Sequence, residues 1–338
     1  MALTKTTILA AAIAGMLAAI SSPHIAAAQT TMKLASATIN DGQHEWQKLF
    51  VAALHKRIGG KVKTEIYPAS QLGPIPRMAE GVSLGTIESF ITPTAFVTNL
   101  DPRFQVFDVP GLFVSPEHQR AVIQDPAYRD HLETMFIDRG LRVIGAIYNS
   151  PTVILLKKPA PTLEAMKGMK VRTFASPLQI EPMKSIGVIP TPLALTEVIP
   201  QLQSGGIDGL LAGMPILTAF KYYDVAKYVT DLNFSHILSV NLVNEAWFKA
   251  QPKDVQEAIR AAGREAEQQV FGWVQNNNKK ANELWLANKG EILKLPPQEQ
   301  SAMMKSFIAL GTKIVERNPA VKTEFVKLKA VVDTRMPK

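Results

Sequence analysis

The 338-residue chain contains no cysteine. That absence excludes a disulfide framework and lipid attachment through cysteine, so cohesion must come from packed cores alone. After the first twenty residues there is no apolar run long enough to cross a bilayer, and the expectation is a soluble mature protein. There is no phosphate-cradling glycine loop, no internal repeat and no low-complexity segment. The six histidines are scattered, and none pairs with another or with an acid at metal-ligand spacing. His44 and His236 could border a cleft, but no metal or cofactor is expected. The formal charge is +8, a balance that can suit nucleic acid, anionic lipid or acidic small molecules. No basic run is interleaved with aromatics, so no nucleic-acid partner is expected. One catalytic pattern is present, Gly81-Val-Ser-Leu-Gly85. A nucleophile elbow needs a strand before its serine and a helix after it, and the order around Ser83 is the reverse. The expectation is therefore a protein that is not an enzyme.

At the N-terminus a charged start (Lys5), an apolar run from Ile8 to Ile20 and small residues at Ala26-Ala27-Ala28 read as a cleaved secretory signal over residues 1–28. A retained anchor is the alternative. Secretion without cysteine points to a bacterial periplasm. About 310 residues remain, enough for two medium domains.

Short β-rich runs alternate with helical stretches, the pattern of α/β domains. Strands are expected at 32–38, 62–67, 85–91 and 141–148. A second group is expected at 153–157, 170–173 and 207–211, and a return near 239–243. Helices are expected at 42–58, through 78–84, at 176–186 and at 195–203. Thr162 can cap the turn at 163–166. From Pro252 an amphipathic stretch runs toward Leu284, unusually long for a globular helix, and a last helix is expected at 298–316. Gly209 is expected to supply a backbone angle that other residues resist. The chain crosses at least twice between two lobes, the layout of a flytrap receptor.

Particular blocks sharpen this reading. Lys170-Val-Arg172 follows Leu163-Glu-Ala-Met-Lys-Gly-Met169 and precedes Ile186-Gly-Val-Ile-Pro-Thr-Pro192 and Leu202-Gln-Ser-Gly-Gly-Ile-Asp-Gly209. Tyr67-Pro-Ala-Ser-Gln-Leu-Gly73, Leu84-Gly-Thr-Ile87, Phe107-Asp-Val-Pro-Gly-Leu-Phe113 and Lys221-Tyr-Tyr-Asp-Val-Ala-Lys-Tyr-Val229 complete the set. In order and spacing these resemble the solute-binding proteins of TRAP (tripartite ATP-independent periplasmic) transporters, the DctP family, over nearly all of the mature chain. The resemblance implies a periplasmic binding protein-like α/β fold: two lobes joined by crossover strands, a ligand cleft between them and a long C-terminal helix spanning both. Lobe I would hold residues 29–149 and 238–277, and lobe II residues 150–237 and 278–338. It also implies that Arg172 clamps the carboxylate of an organic acid. A guanidinium suits that role, being always charged and offering two parallel donors.

The chain departs from the family at three polar positions. Pro151 and Thr152 stand where a second arginine is frequent, Ala212 where an asparagine is frequent, and Pro74-Ile75 where acids are frequent. A sugar acid would leave hydroxyls poorly paired, at about 1–3 kcal/mol each. A smaller or less polar acid is expected, whether aromatic, branched or short-chain. Phe174 either packs on that ligand or is core. Other candidates are Asn40, Thr92, Thr94, Tyr148, Asn149, Met214, Phe220, Asn233 and Phe234, each open to a reading as loop cap or core. Glu80, Glu197 and Asp208 match family positions, and turn or capping duty explains them equally. The expected partners are a small carboxylate and the membrane permease subunits. A binding protein for a non-acid solute, a secreted enzyme and a sensor component stay open as alternatives, and the oligomeric state is undetermined.

Overall fold

The computed structural model describes residues 30–337, and the signal segment read at residues 1–28 lies outside them. Two sheets organise the chain. The first has strands β1 (Thr30–Ser36), β2 (Val62–Tyr67), β3 (Ser89–Pro93), β4 (Leu141–Pro151) and β10 (His236–Asn244), in the order β2-β1-β3-β10-β4. The first three run parallel, and β10 lies antiparallel between β3 and β4. The second sheet has β5 (Val153–Leu156), β6 (Lys170–Arg172), β7 (Ile189–Pro190), β8 (Gly209–Ala212), β9 (Tyr228–Asp231) and β11 (Glu291–Lys294), in the order β11-β9-β5-β8-β6-β7. The chain passes from the first sheet to the second between β4 and β5, and back between β9 and β10.

Alternation along the strands explains why helices cover both faces. On β1, Met32 and Leu34 join one core while Ala35 joins another. On β5, Val153 and Leu155 join one core while Ile154 and Leu156 join a different one. A strand apolar on both sides must be sandwiched. Helices α1 (Gly42–Ile58) and α8 (Glu245–Ala250) cover one face of the first sheet, while α2 (Ile75–Leu84), α3 (Pro116–Ile123) and α4 (Pro126–Thr134) cover the other. Helices α5 (Pro177–Ser185), α6 (Leu195–Ser204) and α7 (Met214–Ala219) serve the second sheet.

The long helix is α9, Lys253–Ala287, about 50 Å at 1.5 Å per residue. Val255, Ile259, Ala262, Ala266, Val270 and Val274 pack into the core under the first sheet. Ala281 and Trp285 then enter a core of the second. One apolar stripe thus ties both sheets together. Gly263 permits the close approach, because a β-carbon there would lie 2.0 Å from the Ile144 carbonyl oxygen.

The structure adds and corrects some elements. Gly85 is the left-handed cap of α2 (φ 77) and the strand starts at Ser89, later than the expected 85–91. Residues 102–108 form a 3₁₀ segment, and α3 and α4 follow where no helix was expected. After α10 (Pro297–Glu316) the chain breaks at Asn318 and continues as α11 (Pro319–Thr334). There the Asn318 side chain accepts from the amides of Ala320 and Val321. Val321, Leu328 and Val332 of α11 share a core with Phe104 and Phe107, so the tail packs beside the first sheet, whereas the sequence reading grouped residues 278–338 with lobe II. Gly209 needs space and not a special angle: a β-carbon would stand 2.1 Å from the Leu155 carbonyl oxygen. Among the described residues, no helix is long and apolar enough to cross a membrane.

Candidate functional site

The strands of the two sheets end toward a common chamber. The first sheet's side contributes Ala37 and Thr38 beyond β1, Gln43 at the start of α1, Ile75, Pro93 and Phe96, and Asn149 and Ser150 at the end of β4. The second contributes Arg172 and Phe174 at the end of β6, Ala212 and Gly213 at the end of β8, and Leu195 and Ile216, while Ile237 reaches in from the start of β10 in the first sheet. The chamber has a volume of ≈ 40 Å³, room for about three waters at the ~10–15 Å³ each one needs. Outside it lies a larger recess of ≈ 460 Å³ that shares Ile75 and Phe96 and continues past Pro76, Asn99, Thr173, Leu193 and Glu197. Strand ends in α/β sheets are where ligands gather, because loops there can diverge while the sheet stays rigid.

Arg172 dominates the electrostatics. The residue is 2 % exposed. Its Nε donates to the Leu193 carbonyl oxygen at 3.1 Å and its Nη1 to that of Leu211 at 3.4 Å. Aromatic rings flank the guanidinium, with centroids 5.1 Å away for Phe96 and 5.6 Å for Phe174. Cation–π contact and two carbonyl dipoles offset part of the burial cost. Among the described residues no carboxylate stands within 4.0 Å of it. Burial without a counter-charge pushes its pKa down to about 10. Arg172 is therefore a buried positive group answered only by carbonyl oxygens and aromatic rings.

Four of the residues singled out from sequence line this chamber: Arg172, Phe174, Asn149 and Ala212. The others lie elsewhere. Asn40 is exposed in a left-handed turn (φ 57) before α1, and Asn233 in another (φ 42) after β9. Thr92 is buried in β3, and Thr94 donates to Asp108 Oδ1 at 3.2 Å. Tyr148 packs behind the chamber against His236 and Phe271. Met214 and Phe220 serve the second sheet's core, and Phe234 meets Phe307 edge-on at 5.6 Å. Asp208 ties a turn, accepting from the Lys170 amide at 2.8 Å, and Glu197 accepts from the Ala194 amide at 3.2 Å. Gln43 and Phe96 were missed. The position of Gln43, in the first helical turn after the first strand, was a usable signal. Phe96 had none, since only folding brings it over Arg172.

Comparison with known proteins places this architecture. The family model for bacterial extracellular solute-binding proteins, family 7 (DctP), matches residues 35–318. A solute-binding protein of Verminephrobacter eiseniae is 31% identical over 71% of this chain and 72% of its own length. The 2,3-diketo-L-gulonate-binding periplasmic protein YiaO of Escherichia coli is 28% identical over 67% of this chain and 69% of its own. The crystal structure of a TRAP periplasmic solute-binding protein from Bordetella bronchispeptica, with density attributed to pantoate, superposes with a TM-score of 0.81 at 26% identity, covering 89% of this chain and 99% of that one. The chain belongs to family 7 of the bacterial extracellular solute-binding proteins, the solute-binding proteins of TRAP transporters.

Proposed function

We propose that this protein captures a small carboxylate in the chamber beside Arg172 and delivers it, from the periplasm, to the membrane permease of its transporter. The observation that carries the reading is Arg172 itself, buried, flanked by Phe96 and Phe174, and without a carboxylate partner among the described residues. A charge in that setting is costly unless an anion arrives. The E. coli relative is named for 2,3-diketo-L-gulonate and the Bordetella structure has density attributed to pantoate, both carboxylates, which supports an acid as ligand. Aliphatic walls at Ile75, Leu195, Ile216 and Ile237, with Ala212 in place of an amide, support an acid less polar than a sugar acid. Phe174 and Phe96 would flank it, and Asn149 and Gln43 would meet its polar edge. The lobes would follow the sheets: residues 30–149, the β10 to α9 segment and α11 in the first, the remainder in the second. Closing on the ligand favours the closed form only by the difference in affinity between the two forms.

The test is a thermal-shift panel on solute-free protein, pairing keto, hydroxy, dicarboxylic, aromatic and sugar acids with their neutral amides. Saturating ligand stabilises by about 4 kcal/mol at a thousandfold excess over Kd. A large shift is expected for an acid and none for its amide. Shifts confined to neutral compounds would remove Arg172 from the site.

A further inference from the structure

The fold dictates which end of the Gln43 side chain faces a ligand. Gln43 is 2 % exposed, and its Nε2 donates to Asp41 Oδ2 at 3.2 Å. The same oxygen accepts from Thr38 Oγ1 at 2.8 Å, and Asp41 Oδ1 accepts from the His44 amide at 3.2 Å as the cap of α1. A carboxylate has only acceptors to offer, so the amide nitrogen of Gln43 is the atom that belongs there. Turning the amide would set oxygen against oxygen. Gln43 Oε1 is thus the end left over, and among the described residues it accepts no hydrogen bond. Asn149 lies on the same wall, with Nδ2 donating to Ser239 Oγ at 3.3 Å, but a hydroxyl can serve either end of an amide and imposes no orientation there. The chamber therefore pairs one cationic donor, Arg172, with one oriented acceptor, Gln43 Oε1.

This pattern sorts acids by the hydrogen they carry near the carboxyl group. We propose that the solute is a 2-hydroxy acid, its carboxylate on Arg172 and its hydroxyl donating to Gln43 Oε1, and that 2-keto acids and unsubstituted acids are rejected. The proposal rests on the carboxylate reading above and narrows it. A keto oxygen would face another acceptor with no proton between them, and an unsubstituted acid would leave the amide oxygen buried and unpaired. An amino acid would bring a donor, but no carboxylate lines the chamber to neutralise its ammonium group. Gln43 acts here as a specificity residue, since Arg172 alone would hold all these acids equally.

Isothermal titration of the solute-free protein with three matched triplets tests this. The probes are lactate, pyruvate and propionate; 2-hydroxyisovalerate, 2-ketoisovalerate and isovalerate; and mandelate, phenylglyoxylate and phenylacetate. In whichever triplet fits the chamber, the hydroxy acid is expected to bind at least about tenfold more tightly than its two companions. Gln43→Met should bring the three together, weakening the hydroxy acid and relieving the penalty on its two companions. A keto or unsubstituted acid binding as tightly as the hydroxy acid overturns the proposal, as does an unchanged preference in Gln43→Met. The wild-type ratio decides even where that variant does not fold. Acids that bind without a hydroxyl preference leave the carboxylate reading standing, whereas no binding by any of the nine overturns this proposal and leaves the carboxylate reading to the wider panel above.

Discussion

Two buried arginines in this molecule live under opposite conditions. Arg142, at the far end of β4, is enclosed by acids. Its Nε and Nη2 meet the two oxygens of Glu245 at 2.7 and 2.8 Å, and its Nη1 meets Glu133 at 2.8 Å. The Phe248 ring lies 4.5 Å beneath it. Arg172, at the end of β6, has rings and carbonyl oxygens but no acid. Both sit against aromatic rings, so packing does not separate them. Charge compensation does. A buried arginine whose every direction is answered belongs to the structure, while one answered only by dipoles is incomplete until an anion joins it.

Breaking each arginine in turn tests this contrast and carries the largest expected effects. Arg142→Met strands two buried carboxylates, and losing one partner of a buried pair costs about 3–5 kcal/mol. The lower end is expected, because Lys249 reaches Glu245 at 3.3 Å and Arg264 reaches Glu133 at 3.3 Å. Urea denaturation should show that loss, while the folded fraction binds acid normally. Arg172→Met should do the reverse. Acid affinity drops by about 2–5 kcal/mol, and the unliganded protein unfolds no earlier than wild type because a desolvated charge has been removed. Equal losses of stability in both variants would erase the distinction.

How far the sequence anticipates the molecule follows from the same physics. The first sheet and strands β5, β6 and β8 of the second were legible because they alternate or run apolar over several residues, whereas β7, β9 and β11, of two to four residues each, were not anticipated. Helix α9 was legible because its stripe persists over the whole length of the helix. Arg172 was legible from its neighbouring blocks. Phe174, Asn149 and Ala212 were named with it, but what surrounds them in the chamber was not legible. Phe96 and Phe174 lie far apart in sequence and meet, 5.1 Å between centroids, only where the two sheets face each other. Helices α3 and α4 are short, and their few apolar residues pack into a core shared with the 3₁₀ segment at 102–108, which leaves little periodicity to detect. Helix α11 is longer, with Val321, Leu328 and Val332 at helical spacing, and was missed all the same. At α11 the Asn318-Pro319 start was nonetheless a readable signal. Gly209 shows the remaining gap: a glycine kept for space and one kept for angle look alike until the neighbouring strand is in place.

Asp108 sharpens the comparison on the acid side. It is buried where the two sheets' cores approach, and burial pushes its pKa up to about 7, with the hydroxyls of Ser176 and Thr94 easing only part of that cost. Between the unfolded value of 3.8 and about 7 the folded chain holds a proton that the unfolded chain has released. The contribution of Asp108 to stability must therefore fall as pH rises through that window, by up to about 1.4 kcal/mol per unit, and its penalty stays constant above it. Asp108→Asn should be the more stable protein at pH 8, with an advantage that shrinks toward pH 4. Thermal melts across that range check it, and an advantage independent of pH would mean that Asp108 is already compensated, like Glu245.

His236 supplies the smallest effect and the opposite sign. It opens β10 beside Tyr148, and burial lowers its pKa to about 4, with Glu117 opposing and His118 adding to the shift. Below its ordinary value of 6.5 the unfolded chain takes up a proton that the folded chain refuses, so stability falls as pH drops from about 6.5 to 4. Over that interval the Asp108 contribution rises as the His236 contribution falls, and in the wild type the two largely cancel. Removing the imidazole exposes the acid's slope. His236→Gln should therefore gain stability as pH falls from 6.5 to 4 where the wild type stays nearly level, and the double variant with Asp108→Asn should be level again. A profile left unchanged by His236→Gln would mean that the imidazole does not oppose Asp108 over this interval.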